Sequence, residues 1–508
     1  MTNQTNNKTI VKNTFFLYFR MMFTMVVSLY TSRVILQVLG VEDYGIYQAV
    51  GGIVGFLSFL NGALATGTSR FLTFELGKQN FDRLQRTFST ALTVHFGLAI
   101  LIVFLAETIG LWFLYNKMLI PADRMDAAIF VYQISVITAV FTLTQVPYSA
   151  SIIAHERMSV YAYVSILETL IKLLIVYLLT IVDFDKLKLF AFLGFWVAVG
   201  FMCFYRYYCT KHFPETKYKF VYDKSILKSI AGFSGWSLFA NVTIALNGQG
   251  ILLLINMFFS PAVVAARAIS LQVSMTINQF VGNFRTAVNP QIVKKYASGD
   301  MIGSKKLLLE STKYSYFLLL LLCLPVIFLA HQILELWLGI VPEYTVIFLQ
   351  LILVQSLCQV FDTSFYTALY AKGQLKENAL ISPPILFVTF PVIYVLFRMG
   401  YSPVVLSWAS LISYAILGLI VKPILLVKIV EYNWNDIWEV FKPCFLVTII
   451  AVPIPLYMTL HCTDPSILYS TSILMVTLMV TTFSIYFGGI DKETRKKILS
   501  FIRTKIHR

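Results

Sequence analysis

Apolar residues fall along this chain in long unbroken blocks, not at the three-and-four spacing of a half-buried surface helix. The first block follows a polar start, "MTNQTNNKTIVKN", and runs from Thr14 to about Leu39. A bilayer core of about 30 Å is crossed by about 20 apolar residues in helical form. That ruler predicts spans over 14–39, 46–68, 88–111, 127–149, 160–181, 188–208, 232–256, 262–284, 313–334, 345–370, 379–398, 403–427, 441–460 and 467–489. The predicted fold class is therefore an all-α membrane protein of about fourteen transmembrane helices. An even count puts both termini on one side. The first block is longer than the roughly 7–15 apolar residues of a signal peptide and predicts a retained first helix.

Composition agrees with the pattern. The chain has 508 residues, 58% of them hydrophobic and only 13% charged, where soluble proteins carry about a quarter charged. The net charge of +15 would suit a nucleic-acid binder, but its placement argues against one. With the N-terminus taken as cytoplasmic, 32 of the 40 lysines and arginines fall in cytoplasmic segments. Five fall outside: Lys117, Arg124, Lys186, Lys188 and Arg398. Arg33, Lys172 and Arg267 lie within spans. This is a positive-inside distribution, and it fixes orientation. It also predicts contact with anionic headgroups and no nucleic-acid partner.

The loops are short and hold no Walker motif or glycine-rich phosphate cradle, which excludes ATP hydrolysis on this chain. The six cysteines form no C-x-x-C pair and are expected to be small buried hydrophobes. His95 and His331 have no metal-ligand partner at useful spacing, so no metal site is expected. The pairs Gly51-Gly52 and Gly248-Gln249-Gly250 suggest helix packing or local unwinding.

The two halves carry the same sequence of features. "LGVEDYGIYQA", a helix and the basic "SRFLTFELGKQNFDRLQRTFSTA" in the first half answer "FFSPAVVAARAIS", a helix and the basic "NPQIVKKYASGDMIGSKKLLLESTKYS" in the second. A six-helix unit restores orientation, so the repeat runs parallel and predicts two bundles around a central cavity, as in many secondary transporters. The expected organisation is a six-helix bundle over 1–208, a cytoplasmic linker over 209–231, a second bundle over 232–430, and two further helices with a basic tail over 431–508.

The segments "SRVILQVLGVEDYGIYQAVGGI" and "GTSRFLTFELGKQN", with the fourteen-helix layout, resemble the polysaccharide-exporting transporters. These are the O-antigen and capsule repeat-unit flippases of the multidrug/oligosaccharidyl-lipid/polysaccharide superfamily. The resemblance implies movement of an undecaprenyl-pyrophosphate-linked oligosaccharide from the inner to the outer leaflet of the bacterial cytoplasmic membrane. It implies two bundles in a V that open alternately to each side. Polysaccharide assembly proteins would be partners. Related lipid II flippases use basic residues in a central cavity, one of them at the outer end of helix 1, and Arg33 matches that position. No cofactor is implied, and H+, Na+ or the membrane potential could drive transport.

The candidate residues have their own chemistry. A guanidinium grips two phosphate oxygens and keeps its proton. Arg33 lies about 9 Å inside the outer end of helix 1 at 1.5 Å per residue, with Gln37 one turn on. Both are expected to line the cavity, with snorkelling of Arg33 to the outer headgroups as the alternative. Arg267 lies near the outer end of helix 8 among small alanines, and the same two readings apply. Arg70 borders the proposed inner entrance. Asn241, Asn247 and Gln249 on helix 7 offer amides to sugar hydroxyls, or serve helix–helix hydrogen bonds. Glu168 and Lys172 sit one turn apart in mid-membrane, as a structural ion pair or an ion-coupled switch. Asp362, in a polar series on helix 10, could couple to a cation or pack against a neighbouring helix.

Two other functions compete. A drug or cation antiporter of the same superfamily would favour acidic residues in the cavity. A glycan polymerase would need a large catalytic outer loop, which this chain does not have.

Overall fold

The computed structural model describes residues 2–57, 59–155, 157–220, 242–243, 245–374, 376–461, 466–491 and 495–496, without the side chains of 2–18, 59–63, 66, 70 and 287. All regular structure among these residues is helical. In chain order the helices are α1 (Thr2–Leu57), α2 (Phe59–Gly77), α3 (Phe81–Lys117), α4 (Ala122–Ala154), α5 (Met158–Leu178), α6 (Lys186–His212), α7 (Leu246–Phe258), α8 (Pro261–Ala297), α9 (Met301–Phe328), α10 (Ala330–Leu338), α11 (Thr345–Lys372), α12 (Lys376–Arg398), α13 (Val405–Ile429), α14 (Trp434–His461) and α15 (Ile467–Gly489). Among the described residues, eleven segments are long and apolar enough to cross a membrane. The first of these, Phe19–Leu57, is 39 residues long and contains a break. Gly40 has φ +79° and ψ 169°, a left-handed conformation that glycine takes without a Cβ penalty. The break falls where the apolar pattern ends its first span.

Three predicted spans are not separate members of those eleven. The one over 46–68 continues from the second limb of α1 into α2. Those over 232–256 and 262–284 correspond in part to α7 and to α8. The polar residues of α8, among them Gln272, Asn278, Asn283 and Arg285, dilute its apolar windows.

The chain divides into two compact units, Met1–Ala268 and Ile269–Arg508. In the first, α4 is central and packs on α1, α2, α3, α5 and α6. Arg20 lies 4.9 Å over the Tyr161 ring near the start of α5, and Tyr30 meets the Tyr177 hydroxyl at 2.5 Å near its end. The two contacts advance in the same order, so the first limb of α1 and α5 run parallel, as their odd-numbered places in a serial crossing require. After α6, residues 213–219 lie along α3. Gln85 Nε2 donates to the Lys217 carbonyl at 3.1 Å, the Lys219 amide donates to Ser89 Oγ at 3.1 Å, and Tyr218 meets Thr93. His155 pairs with the buried Glu215 and stacks on Phe213 at 4.0 Å.

In the second unit α11 is central and packs on α9, α10 and α13; α14 and α15 pack on α9. The α2–α3 and α8–α9 turns use one device. Asn80 accepts the Arg83 amide at 3.1 Å, and Asp300 accepts the Gly303 amide at 2.8 Å. Each follows a tight turn and satisfies an orphan N–H group of the next helix.

Candidate functional site

The second limb of α1 is positioned by two constraints close in sequence to Arg33. Gly45 faces the start of α8, where any Cβ would overlap the Pro261 carbonyl. Asp43 takes a bidentate hydrogen bond from Arg124, at 2.8 Å from Nε and 2.6 Å from Nη2. Arg124 Nη1 reaches Asp185 at 2.8 Å, and Asp185 also accepts the Lys188 amide at 3.1 Å to cap α6. Burial pushes the Asp185 carboxyl upward, but Arg124 and the Lys188 amide outweigh it and hold it below the usual carboxylate range. Lys188 pairs with Asp126. Two of the five cations expected outside are therefore spent in ion pairs, and Lys117 lies 5.6 Å over the Trp112 ring.

Arg33 stands just before the Gly40 break and is half-buried. Among the described residues no ion pair reaches it. Gln37, one turn on, is exposed. Arg267 is 2% exposed and flanked by fully buried Ala265 and Ala266, which lets its helix approach its neighbours closely. Gln249 packs beside Gly52 and Gly55, where added Cβ atoms would lie 3.6 and 3.3 Å from its side chain. It therefore sits against the second limb of α1. Asn247 donates to the Thr243 carbonyl at 3.0 Å, back onto its own helix. Residues Leu246–Gly250 form a π-helical turn, a local unwinding at Gly248-Gln249-Gly250. Asn241 and the side chain of Arg70 lie outside the described residues. On α5, Lys172 Nζ bonds Glu168 at 2.7 Å, with side chains 56% and 36% exposed. That exposure keeps the pair out of the packed core.

Asp362 is not a lone carboxylate. Lys422 Nζ lies 3.2 Å from its Oδ1, donates to Asn378 Oδ1, and sits 5.4 Å over the Tyr366 ring. Arg285 donates to the neighbouring Thr363 carbonyl, and its charge also bears on Asp362. By position in the chain, Lys422 reads as a cation flanking the inner end of a span. Here it is 2% exposed and stands seven residues inside α13. Its place in the apolar run "LGLIVKPILLV", without a polar neighbour, is the signal that could have found it. Backbone packing puts it there. A Cβ at Gly418 would overlap the Cys358 carbonyl, so α13 touches α11 at that level. One turn on along each parallel helix come Lys422 and Asp362. Residues Ile416–Val421 form a π-helical turn, a feature found often beside functional residues.

No protein-family model and no curated protein sequence matches the chain. Solved structures do. An inward-facing multidrug resistance transporter of the MATE family of the MOP superfamily aligns with TM-score 0.68 and 12% identity, over 81% of this chain and 96% of that one. The lipid II flippase MurJ, in an inward closed conformation, aligns with TM-score 0.68 and 13% identity, over 92% of this chain and 98% of that one. The chain shares its fold with these two solved structures. An outward-facing MATE transporter also aligns, with TM-score 0.60 and 14% identity over 83% of this chain. At these identities the likeness is one of fold alone.

Proposed function

We propose that this chain is a flippase that carries a lipid-linked, pyrophosphate-bearing oligosaccharide across the bacterial cytoplasmic membrane by alternating access. In this reading the chain crosses fourteen times with both termini cytoplasmic. Two six-helix halves, 1–208 and 232–430, form the transport path, and 431–508 adds two flanking helices and a tail. The observation that carries the proposal is the contrast among intramembrane cations. Lys172 and Lys422 each have a carboxylate partner. Arg33 has none among the described residues. An uncompensated guanidinium inside a membrane helix is costly, and a pyrophosphate is the partner that would offset it by bidentate charge-assisted hydrogen bonds. Gln37 and Arg267 are proposed to share that surface, with Arg70 at its inner entrance. Asn241, Asn247 and Gln249 are proposed to meet sugar hydroxyls. Glu168–Lys172 and Asp362–Lys422 are proposed as pairs whose rearrangement couples transport to a proton, sodium or the membrane potential.

The antiporter reading is weaker on the same grounds. Glu168 and Asp362, the carboxylates a cationic drug would seek, each already hold a lysine. The deciding experiment removes the gene and asks in which leaflet the lipid-linked glycan collects. Inner-leaflet accumulation with synthesis intact supports the proposal. Single repeat units collecting in the outer leaflet would transfer the role to a polymerase.

A further inference from the structure

The second unit holds a charged cleft on which the transport proposal does not draw. The first turns of α9 and α14 pack side by side, and between them lies a cleft of about 330 Å³. Six ionisable side chains line it: Lys305, Lys306, Lys313, Glu310, Asp436 and Glu439. Three are cationic and three anionic.

Two observations place the cleft at the depth of lipid headgroups. The apolar stretches of the two helices begin just past Lys313 and, one turn beyond Glu439, just past Lys442. Trp434 and Trp438, on the first turns of α14, are 57% and 60% exposed, and exposed tryptophans of a membrane helix sit at the interface.

The cleft is also partly unpaired. Lys305 pairs with Asp436 and lies 5.4 Å over the Tyr432 ring; Lys306 faces Glu310 at 4.0 Å. Lys313 and Glu439 enter no ion pair among the described residues. The lining is thus electrically balanced, with one ammonium and one carboxylate uncommitted. A purely anionic headgroup would satisfy Lys313 and meet repulsion from Glu439. A headgroup with a phosphate and a primary ammonium a few bonds apart satisfies both.

We infer that this cleft binds the headgroup of a phosphatidylethanolamine from the inner leaflet, its phosphate on Lys313 and its ammonium on Glu439. The ammonium's N–H donors separate it from phosphatidylcholine, whose quaternary nitrogen donates no hydrogen bond.

The test uses the purified full chain in detergent with equimolar phosphatidylethanolamine, phosphatidylglycerol and phosphatidylcholine, read as retained lipid by native mass spectrometry. Retention of phosphatidylethanolamine about ten-fold above each of the others is the expected result, the lower end of what one hydrogen bond to a charged group is worth. Glu439→Gln should remove that preference and raise phosphatidylglycerol, because the repelling carboxylate is gone. Lys313→Gln should lower retention of both phosphatidylethanolamine and phosphatidylglycerol. Equal retention of the three lipids by the unaltered chain overturns the inference, as does a preference for phosphatidylglycerol. Neither of those readings depends on the stability of a variant.

Discussion

Arg33 and Lys422 are both cations inside helices, and their surroundings predict opposite behaviour. If Arg33 grips a pyrophosphate, its removal should cost function and spare the fold. Arg33→Ala is expected to slow export of the lipid-linked glycan by about ten- to a hundred-fold, the usual worth of hydrogen bonds to a charged group. Arg33→Lys should recover only part of that, because an ammonium does not present the bidentate fork. Both variants should melt within a few degrees of the parent, and normal export by Arg33→Ala would remove the site. Asp362→Ala leaves Lys422 buried without its counter-charge, and a broken buried pair costs about 3–5 kcal/mol. A large fall in thermal stability is expected. The double variant Asp362→Leu/Lys422→Met should restore much of it. Whether export returns with stability separates the two roles of the pair. Continued loss of export in a stable double variant supports coupling, and full export assigns the pair to packing.

The helices show which local rules set the fold. Asp300 caps α9, and the Lys295 ammonium and the Gly303 amide hold its carboxyl below the usual carboxylate range. A depressed folded value stabilises above the unfolded value of about 3.9 and is lost as pH falls through the folded one. Protection of the Gly303 amide from hydrogen exchange, corrected for intrinsic rate, should therefore drop in acid. Asn also caps well, so Asp300→Asn should keep protection and lose this pH dependence. The close approach of α13 to α11 rests on Gly418, and a Cβ there would drive the helices apart. Gly418→Ala is expected to cost about 1–3 kcal/mol, as overpacking does, seen as a lower melting temperature.

Across the whole molecule, the blocks of apolar residues were enough to read an all-α membrane protein, because burial in lipid demands that pattern whatever the tertiary contacts. The unwinding at 246–250 was also near the surface of the sequence, since Gly248 and Gly250 mark it, and the break at Gly40 falls at the end of the first predicted apolar span. What was not legible were partners distant in the chain. Asp362 and Lys422 lie sixty residues apart, and the packing of α13 on α11, closest at Gly418 and Cys358, brings them together. The Arg124 clasp joins Asp43 and Asp185 from two distant parts of the chain, so the place of Arg124 between two spans could be read but not its neutralisation. The proposed orientation is itself testable. Single cysteines at Ser298 and Asp183, in a variant otherwise free of cysteine, should react with an impermeant maleimide from opposite sides: Ser298 only after lysis, and Asp183 in intact spheroplasts. The reverse pattern would invert the topology and place Arg33 near the inner leaflet.

The two glycines of "LGVEDYG" act together as a ruler. Gly40 supplies the bend in α1, and Gly45, five residues later, lets the bent limb touch the Pro261 backbone. Each residue inserted into a helix rotates everything beyond it by about 100°. One residue added or removed between them would turn the bare face away from Pro261 and swing a side chain into its place. Substitution at exposed Glu42 should pass unnoticed, while a single-codon deletion at the same point should abolish folding of the first unit. This stretch should tolerate changes of letter far better than changes of length.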